Sequence, residues 1–295
     1  MRFLLPIFLV MITGFPTVFA QDTATSPSSS ESVASNHGAE ADDWFTKKST
    51  WNGFERFHFQ CAGRDSYLVV PPKPLENRPW IWRARFPDFH KEMDIALVQA
   101  GYHVAYFDVA NQFGCPKIID NAAEFYRLMT ERHQLNTKPV MEGVSRGGLF
   151  VYNWAAKHPT LIACIYCDTP VCDFLSWPLG KAGEKGTGVG NPSAWKACLR
   201  AYGLDASEAK TFQGLPIHHA SIVAKAKIPI LHIVSENDRV VPPNENTYRL
   251  RDALVEHGHT MDVISVPQGT KKSQGHHFDH PAPQRVIDFI RKHAG

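Results

Sequence analysis

Short apolar runs alternate with amphipathic helical patterns along most of this chain. Apolar runs predict strands at residues 80–84, 103–109, 139–144, 161–166, 228–234 and 261–266. Helical patterns with capping or proline signals predict helices at residues 91–100, 120–133, 146–157, 244–257 and 283–293. Such an alternation predicts a mostly parallel central sheet with helices on both of its faces.

Two segments depart from this alternation. Residues 54–59 and 67–70 predict an amino-terminal antiparallel hairpin, which the prolines at 71, 72 and 74 end. Residues 168–226 contain a glycine-rich stretch and short helical patterns at 194–202 and 206–212. We interpret this interval as a cap, inserted over the carboxyl ends of the strands into one domain spanning residues 43–295.

The amino terminus predicts export. Residues 1–20 combine Arg2, an apolar stretch and a Val-Phe-Ala cleavage signal, as a signal peptide does. A membrane anchor is the alternative, but Pro6, Gly14 and Pro16 interrupt the apolar stretch. Residues 21–42 are polar and predict a disordered linker. We therefore expect a secreted or periplasmic protein that leaves the membrane once its signal is cleaved.

The net charge and the cysteines bear on three questions: nucleic-acid binding, disulfide formation and metal binding. A formal net charge of +2 without a basic cluster argues against nucleic-acid binding. The six cysteines form either buried thiols or one or two disulfides, because an exported chain permits both. Cys164 and Cys167 form a C-x-x-C pair inside an apolar run, which is not typical of a metal site. The sequence does not give the oligomeric state.

A glycine-flanked serine lies between a predicted strand and a predicted helix. Residues 143–147 read Gly-Val-Ser-Arg-Gly, which matches the G-x-S-x-G pattern of a nucleophile elbow. The small residues are needed because the turn around the serine is tight. We predict that Ser145 is a nucleophile.

A serine hydroxyl needs a base, and the base needs an orienting carboxylate. Asp238 lies in the loop after the strand at 228–234, and we choose it over its neighbour Glu236. His276 follows a glycine in the loop before the last helix, and we choose it as the base over His277.

With these residues in this order, the chain resembles the α/β-hydrolase superfamily over roughly residues 50–295. The resemblance implies an α/β-hydrolase fold and a Ser-His-Asp mechanism that requires no metal and no organic cofactor. Fold alone says little about the substrate.

The residues expected to bind an oxyanion are unusual. Many esterases carry His-Gly-Gly-type residues after the third strand, whereas this chain reads Trp-Arg-Ala-Arg-Phe at 82–86. We expect an oxyanion hole that uses the backbone N–H of Arg146 and a second N–H from the stretch Arg83, Ala84 and Arg85. The side chains of Arg83 and Arg85 either donate to the oxyanion, bind an anionic substrate group or form surface salt bridges.

A second, local resemblance concerns the elbow. The Ser145–Arg146 pair is similar to the elbow of glucuronoyl esterases, which implies a uronic acid ester as substrate and an arginine that assists the oxyanion. The acid in such enzymes can follow an earlier strand, which makes Asp168 the alternative acid. Trp177 and Trp195, in the predicted cap, are either sugar-binding platforms or ordinary packing residues.

These observations give three hypotheses. The leading one is an exported serine hydrolase that cleaves carboxylic esters of small molecules or carbohydrates through an acyl-enzyme. The second is a serine peptidase of the same fold. The third is a catalytically silent member that binds glycans or protein, which an intact Ser, Asp and His argue against.

Overall fold

A computed structural model describes residues 44–183 and 186–295. The predicted signal peptide and all of the linker lie outside the described residues. Nine strands form one sheet: β1 (Lys47–Trp51), β2 (Phe54–Cys61), β3 (Arg64–Val70), β4 (Trp80–Ala84), β5 (His103–Phe107), β6 (Val140–Val144), β7 (Cys164–Asp168), β8 (Ile230–Ser235) and β9 (Asp262–Val266).

The order of the strands across the sheet is β1-β2-β3-β5-β4-β6-β7-β8-β9. Strands β4 to β9 pair in parallel, whereas β1, β2 and β3 form antiparallel pairs and β3 joins β5 antiparallel. This topology confirms the predicted α/β-hydrolase fold with its amino-terminal antiparallel hairpin. The sequence did not predict β1, which extends that hairpin at the edge of the sheet.

Eight helices accompany the described strands: α1 (Glu92–Gln99), α2 (Pro116–Arg127), α3 (Gly147–Lys157), α4 (Pro192–Tyr202), α5 (Ala206–Thr211), α6 (Ala220–Lys225), α7 (Thr247–Glu256) and α8 (Pro283–Ala294). A wider helical turn at Leu128–Arg132 continues α2. None of the helices in the described ranges is both long and apolar enough to cross a membrane.

The two faces of the sheet have separate apolar cores, because successive side chains of a strand point to opposite faces. Along β4, Trp80 and Trp82 pack with side chains of α2 and α3. On the other face Ile81 packs with side chains of α1 and α8. All the strand residues of β4, β6, β7 and β8 are buried, as expected for parallel strands covered on both faces.

The segment between β7 and β8 contains α4, α5 and α6 together with short helical turns. Two of its helices lie where the sequence predicted helical pieces, and α6 was not predicted. Phe174 anchors the segment, since its buried ring packs against the rings of Trp195, Tyr202 and Phe212. That the interval forms a cap remains a prediction.

The side chain of Arg83 is fully buried on β4, the neighbour of the strand β6 that leads to Ser145. The Arg83 guanidinium on β4 binds the carboxylates of Asp94 on α1 and Glu142 on β6. Burial raises the pKa of Glu142 well above its ordinary value, although Arg83 acts in the opposite direction. The same guanidinium donates to the carbonyl oxygens of Phe86 and Phe89, and so fixes the loop after β4.

Replacing Arg83 with methionine is expected to destabilise the fold strongly. Two buried carboxyl groups and two loop carbonyls lose their shared partner, which costs about 3–5 kcal/mol of the free energy of unfolding. Urea unfolding of the variant measures this loss. Arg251→Met is the matched control, since its exposed pair with Asp252 contributes about 1 kcal/mol at most. Equal unfolding midpoints for the two variants would contradict the role given to Arg83.

The six cysteines are buried free thiols in this structure. Cys164 and Cys167 point to opposite faces of β7, one in each core. Burial raises the pKa of the Cys61 thiol to about 11, so this thiol is not a reactive thiolate at neutral pH.

Candidate active site

Ser145 lies in the sharp turn between β6 and α3. Its φ angle is 51°, in the left-handed region that residues with a side chain seldom adopt. The Ser145 N–H donates to the Asp168 carbonyl at 2.8 Å, and the Val171 N–H donates to the Ser145 carbonyl at 2.9 Å. These two bonds to the end of β7 hold the strained turn in place.

The glycines on both sides of Ser145 are required by close packing. A Cβ atom at residue 147 would lie 2.3 Å from the Ala84 carbonyl oxygen. A Cβ atom at residue 143 would lie 2.9 Å from a Val151 methyl and 3.0 Å from the Cys167 sulfur. Helix α3 can therefore begin directly against the sheet, which leaves the serine at the carboxyl end of β6.

Three side chains distant in sequence meet at this edge of the sheet. The Ser145 Oγ lies 3.0 Å from His276 Nε2, and His276 Nδ1 lies 2.6 Å from Asp238 Oδ2. All three residues are buried, with Ser145 the most exposed at 9%. This geometry lets the imidazole accept the serine proton while the carboxylate fixes the tautomer of the ring.

The loop after β8 places the carboxylate. The second carboxylate oxygen of Asp238 accepts the N–H groups of Val240 and Val241 at 2.8 and 2.9 Å. Its competitor Glu236 points elsewhere, because it accepts from the hydroxyls of Tyr248 and Ser265 at the exposed surface. Asp238 is therefore the carboxylate after β8 that orients the base.

The loop after β9 places the imidazole. Asn237, next to Asp238, accepts the Gly269 N–H at 2.8 Å, and the Arg239 N–H donates to the Gln274 carbonyl at 2.9 Å. The loops after β8 and β9 are thus bonded to each other. His277 is exposed, with its ring 5.1 Å from that of Phe89, and it makes no hydrogen bond to Ser145.

Asp168, the alternative acid, has a different partner. Its carboxylate accepts from Nδ1 of His90, which lies in the loop between β4 and α1. The other ring nitrogen of His90 donates to the Phe278 carbonyl at 2.7 Å, two residues beyond His276. His90 thus connects the end of β7 to the loop that carries the base.

The hydrogen bonds of His90 define its protonation state. A carbonyl oxygen and a carboxylate oxygen both accept, so both ring nitrogens must carry a proton. Burial acts to lower the pKa of His90, but the hydrogen bond and charge of Asp168 outweigh it and raise the pKa. The Glu92 carboxylate adds to this rise, and the His280 ring lies 5.3 Å away.

Replacing His90 with glutamine is expected to lower kcat/KM by about tenfold, because a small displacement of the base is costly. The same variant also tests the pH dependence of stability. Because the folded-state pKa of His90 is raised, the stabilisation from its protonated ring is complete below about pH 6.5 and is lost as pH rises through the folded-state pKa. Melting temperatures of both proteins, measured across pH, should therefore converge in the alkaline range.

The control for this series is His257→Gln, at an exposed position beyond the end of α7. It should reproduce the pH dependence of the parent protein. A constant difference in melting temperature between the parent and His90→Gln at every pH would contradict a protonated His90.

The predicted oxyanion donors differ in their surroundings. The Arg146 N–H, directly after Ser145, donates to no backbone carbonyl among the described residues. Arg83 lies inside the sheet and its guanidinium is occupied by Asp94 and Glu142, so the expectations that its side chain assists an oxyanion or forms a surface salt bridge are wrong. Ala84 ends β4 with its carbonyl against Gly147.

The residues after Ala84 turn the chain across the elbow. Arg85 and Phe86 have φ angles of 66° and 43°, and the Arg85 Cβ lies 3.5 Å from the Cβ position at residue 147. Arg85 lies in the stretch predicted to supply the second oxyanion donor, and that this turn supplies it stays a prediction. Consecutive left-handed residues other than glycine are unusual and concentrate at functional sites.

The tryptophans proposed as sugar platforms differ in their surroundings. Trp177 is buried at 6% exposure, between the Phe113 ring at 6.2 Å and the Arg146 guanidinium at 5.0 Å. Its role as an open stacking platform is wrong, because these groups cover it. Trp195 packs against Phe174 and lines a shallow groove on α4.

Sequence reasoning missed His90. Its only local signal is a histidine shortly after a predicted strand, in a loop at the carboxyl edge of the sheet. Its partners Asp168 and Phe278 lie 78 and 188 residues away, so no spacing pattern reveals them.

Comparison with known proteins places this geometry in a family. A model of the prolyl oligopeptidase family matches residues 117–295, more than half of the chain, including Ser145, Asp238 and His276. A search of curated protein sequences gives no significant match.

Solved structures share the fold at low sequence identity. An acylaminoacyl peptidase from Pyrococcus horikoshii aligns with a TM-score of 0.55 and 15% identity, over 84% of this chain and 42% of its own. A puromycin-hydrolyzing peptidase from Mycobacterium tuberculosis aligns with a TM-score of 0.61 and 13% identity, over 82% and 40%. A puromycin hydrolase aligns with a TM-score of 0.57 and 16% identity, over 83% and 37%. The chain thus spans about two fifths of the length of these structures.

Proposed function

This chain belongs to the prolyl oligopeptidase family of serine hydrolases, and from that premise we propose that it is a peptidase that cleaves amide bonds through an acyl-enzyme. The observation that carries the proposal is the hydrogen-bonded series from Ser145 Oγ through His276 to Asp238. The comparisons favour amide cleavage, the second of the three hypotheses, over the ester hydrolysis that the sequence placed first.

Acylation begins when Ser145 Oγ attacks the scissile carbonyl carbon. His276 Nε2 takes the hydroxyl proton, and Asp238 stabilises the imidazolium that forms. The oxyanion accepts the Arg146 N–H and a donor from the turn at Arg85 and Phe86, which together contribute several kcal/mol, with each donor worth about 2.7–4 kcal/mol. The carbon–nitrogen bond then breaks, and the amine leaves with the proton from His276.

Deacylation repeats the same steps with water. His276 takes a proton from the attacking water, the bond between Ser145 Oγ and the acyl carbon breaks, and the proton returns to the serine. All of these steps use side chains and peptide groups of this chain.

A carbohydrate ester has less support as the substrate. The enclosed position of Trp177 removes one of the two aromatic platforms expected for a sugar. Esters still react readily with an activated serine, so weak ester turnover is compatible with a peptidase. The intact geometry argues against a catalytically silent role.

A substrate panel tests the proposal. It contains N-acetyl dipeptide amides with varied acyl residues, short-chain aryl esters, acetylated sugars and a uronic acid methyl ester. We expect cleavage of at least one amide, sensitive to a fluorophosphonate that modifies Ser145. If the esters are hydrolysed and no amide is, the protein is an esterase of this fold and the proposal of peptidase activity fails.

We also propose that the protein is exported, because residues 1–20 have the pattern of a signal peptide. Sequencing of the mature amino terminus, expected at Gln21, tests it.

A further inference from the structure

The guanidinium of Arg146 has aromatic neighbours and no acidic partner. Its Cζ lies 5.6 Å from the Phe86 ring, 6.0 Å from the Phe113 ring and 5.0 Å from the Trp177 ring. No carboxylate or carbonyl oxygen of the described residues accepts a hydrogen bond from it, and its buried Nε has no partner. Aromatic faces stabilise a cation by about 0.5–2 kcal/mol but do not accept its N–H groups in the way an anion does.

Arg85 is a second cation beside it. Its Cζ lies 4.6 Å from the same Phe86 ring, and its Nε is also buried without a partner. The carboxylate of Asp108 lies 3.9 Å from the Arg85 guanidinium. The same carboxylate lies 3.5 Å from the guanidinium of Arg64. We call Arg85 and Arg146 the arginine pair; together with Arg64 they leave an excess of positive charge at this place.

The arginine pair lies on the reactive edge of the sheet. The three aromatic residues lie after the carboxyl ends of parallel strands: Phe86 after β4, Phe113 after β5 and Trp177 after β7. Ser145 directly follows β6 at the same edge of the sheet. Arg146 follows the nucleophile directly, and its side chain is only half-buried. We therefore expect a substrate whose carbonyl lies on Ser145 to extend towards both guanidinium groups.

A guanidinium with a buried N–H group that has no acceptor is costly to maintain in a folded protein, and Arg85 and Arg146 each have such a group at Nε. Planar guanidinium groups bind a carboxylate through two parallel hydrogen bonds, and both members of the arginine pair lie beside the same Phe86 ring. Arg83 has two carboxylates of its own, whereas Arg85 shares the single carboxylate of Asp108 with Arg64 and Arg146 has none among the described residues.

We infer that the arginine pair binds a carboxylate of the substrate next to the scissile bond, so that this hydrolase prefers anionic substrates. The inference rests on the proposed function and deepens it. The carboxylate has two possible sources, an acidic side chain on the acyl residue or the free carboxyl end of the leaving residue.

Three matched compounds separate the two sources. N-acetyl-glutamyl-alaninamide and N-acetyl-glutaminyl-alaninamide differ by one carboxylate on the acyl residue. N-acetyl-glutaminyl-alanine adds the carboxylate on the leaving residue instead. We expect one of the two anionic compounds to exceed the neutral one in kcat/KM by about tenfold or more, the contribution of one charge-assisted hydrogen bond. This ratio should fall with added salt.

The variants Arg146→Gln and Arg85→Gln should bring the ratio towards one, and Arg146→Lys should give an intermediate value. The charge-matched control is Arg251→Gln, at a partly exposed arginine on α7, and it should keep the parent ratio. A parent protein that cleaves all three compounds equally would overturn the inference and leave the proposed peptidase intact.

Calorimetric binding of the three compounds to the unreactive Ser145→Ala protein gives a readout that does not depend on turnover. The inference is supported if an anionic compound binds more tightly than the neutral one and the double variant Ser145→Ala, Arg146→Gln loses this difference. This holds even if no amide is cleaved. Equal affinity for all three compounds overturns it. Failure of the parent to cleave any amide, together with selective binding, would instead reject the peptidase alone.

Discussion

Replacing Ser145 with alanine should abolish turnover of every amide and ester that the parent protein cleaves. Removal of the nucleophile of a serine hydrolase lowers kcat by about a millionfold, because the base and its carboxylate have no hydroxyl to activate. The measurement is kcat under saturating substrate, together with covalent labelling by a fluorophosphonate probe. The variant should neither turn over nor label.

The control is Ser193→Ala, an exposed serine at the start of α4 whose hydroxyl bonds Asn191. It should retain the activity and the labelling of the parent. Persistent labelling of Ser145→Ala would show that another residue reacts, and it would remove the basis of the proposed mechanism.

Asparagine in place of Asp238 should lower kcat by about ten thousandfold, the loss seen when the carboxylate of a triad becomes an amide. The amide no longer holds His276 in the tautomer that can accept the serine proton. Asp168→Asn provides the matched comparison, because Asp168 is also a buried aspartate at the carboxyl end of a strand and binds His90 instead.

For Asp168→Asn we expect a loss of only about tenfold, through displacement of the loop that His90 holds. Steady-state kinetics of both variants decide between the two acids. If Asp168→Asn shows the larger loss, then the acid follows β7, as the resemblance to glucuronoyl esterases implied, and the geometry at Asp238 is structural.

The sequence predicted most of the sheet because each strand of a doubly covered parallel sheet reads as an apolar run. The edge strand β1 does not read as an apolar run, because Trp51 is its only buried residue, and the sequence therefore did not predict it. The strand after α3 was predicted at 161–166 but lies at Cys164–Asp168. Ile162 is apolar because it is buried in the core, although it is not in a strand, and this apolar residue extended the predicted strand towards the amino terminus.

Three of the site residues could be predicted because an elbow, an acid loop and a histidine loop follow in a known order. The choice of His276 over His277 rests on a glycine at 275, and the structure gives His276 the bond to Ser145. The environment of the arginines could not be predicted. Whether a guanidinium is paired depends on residues such as Asp94 and Glu142, which lie 11 and 59 positions from Arg83.

The five residues from Phe86 to His90 contact the buried Arg83, the arginine pair and the loop that carries His276. Arg83 holds their carbonyls from within the core, Phe86 contacts both members of the arginine pair, and His90 binds the loop of the base. One short stretch of chain thus influences charge preference, acid–base behaviour and transition-state stabilisation together. A single substitution in this stretch should therefore alter several of these traits at once, even though Arg85, Arg146 and His276 lie outside it.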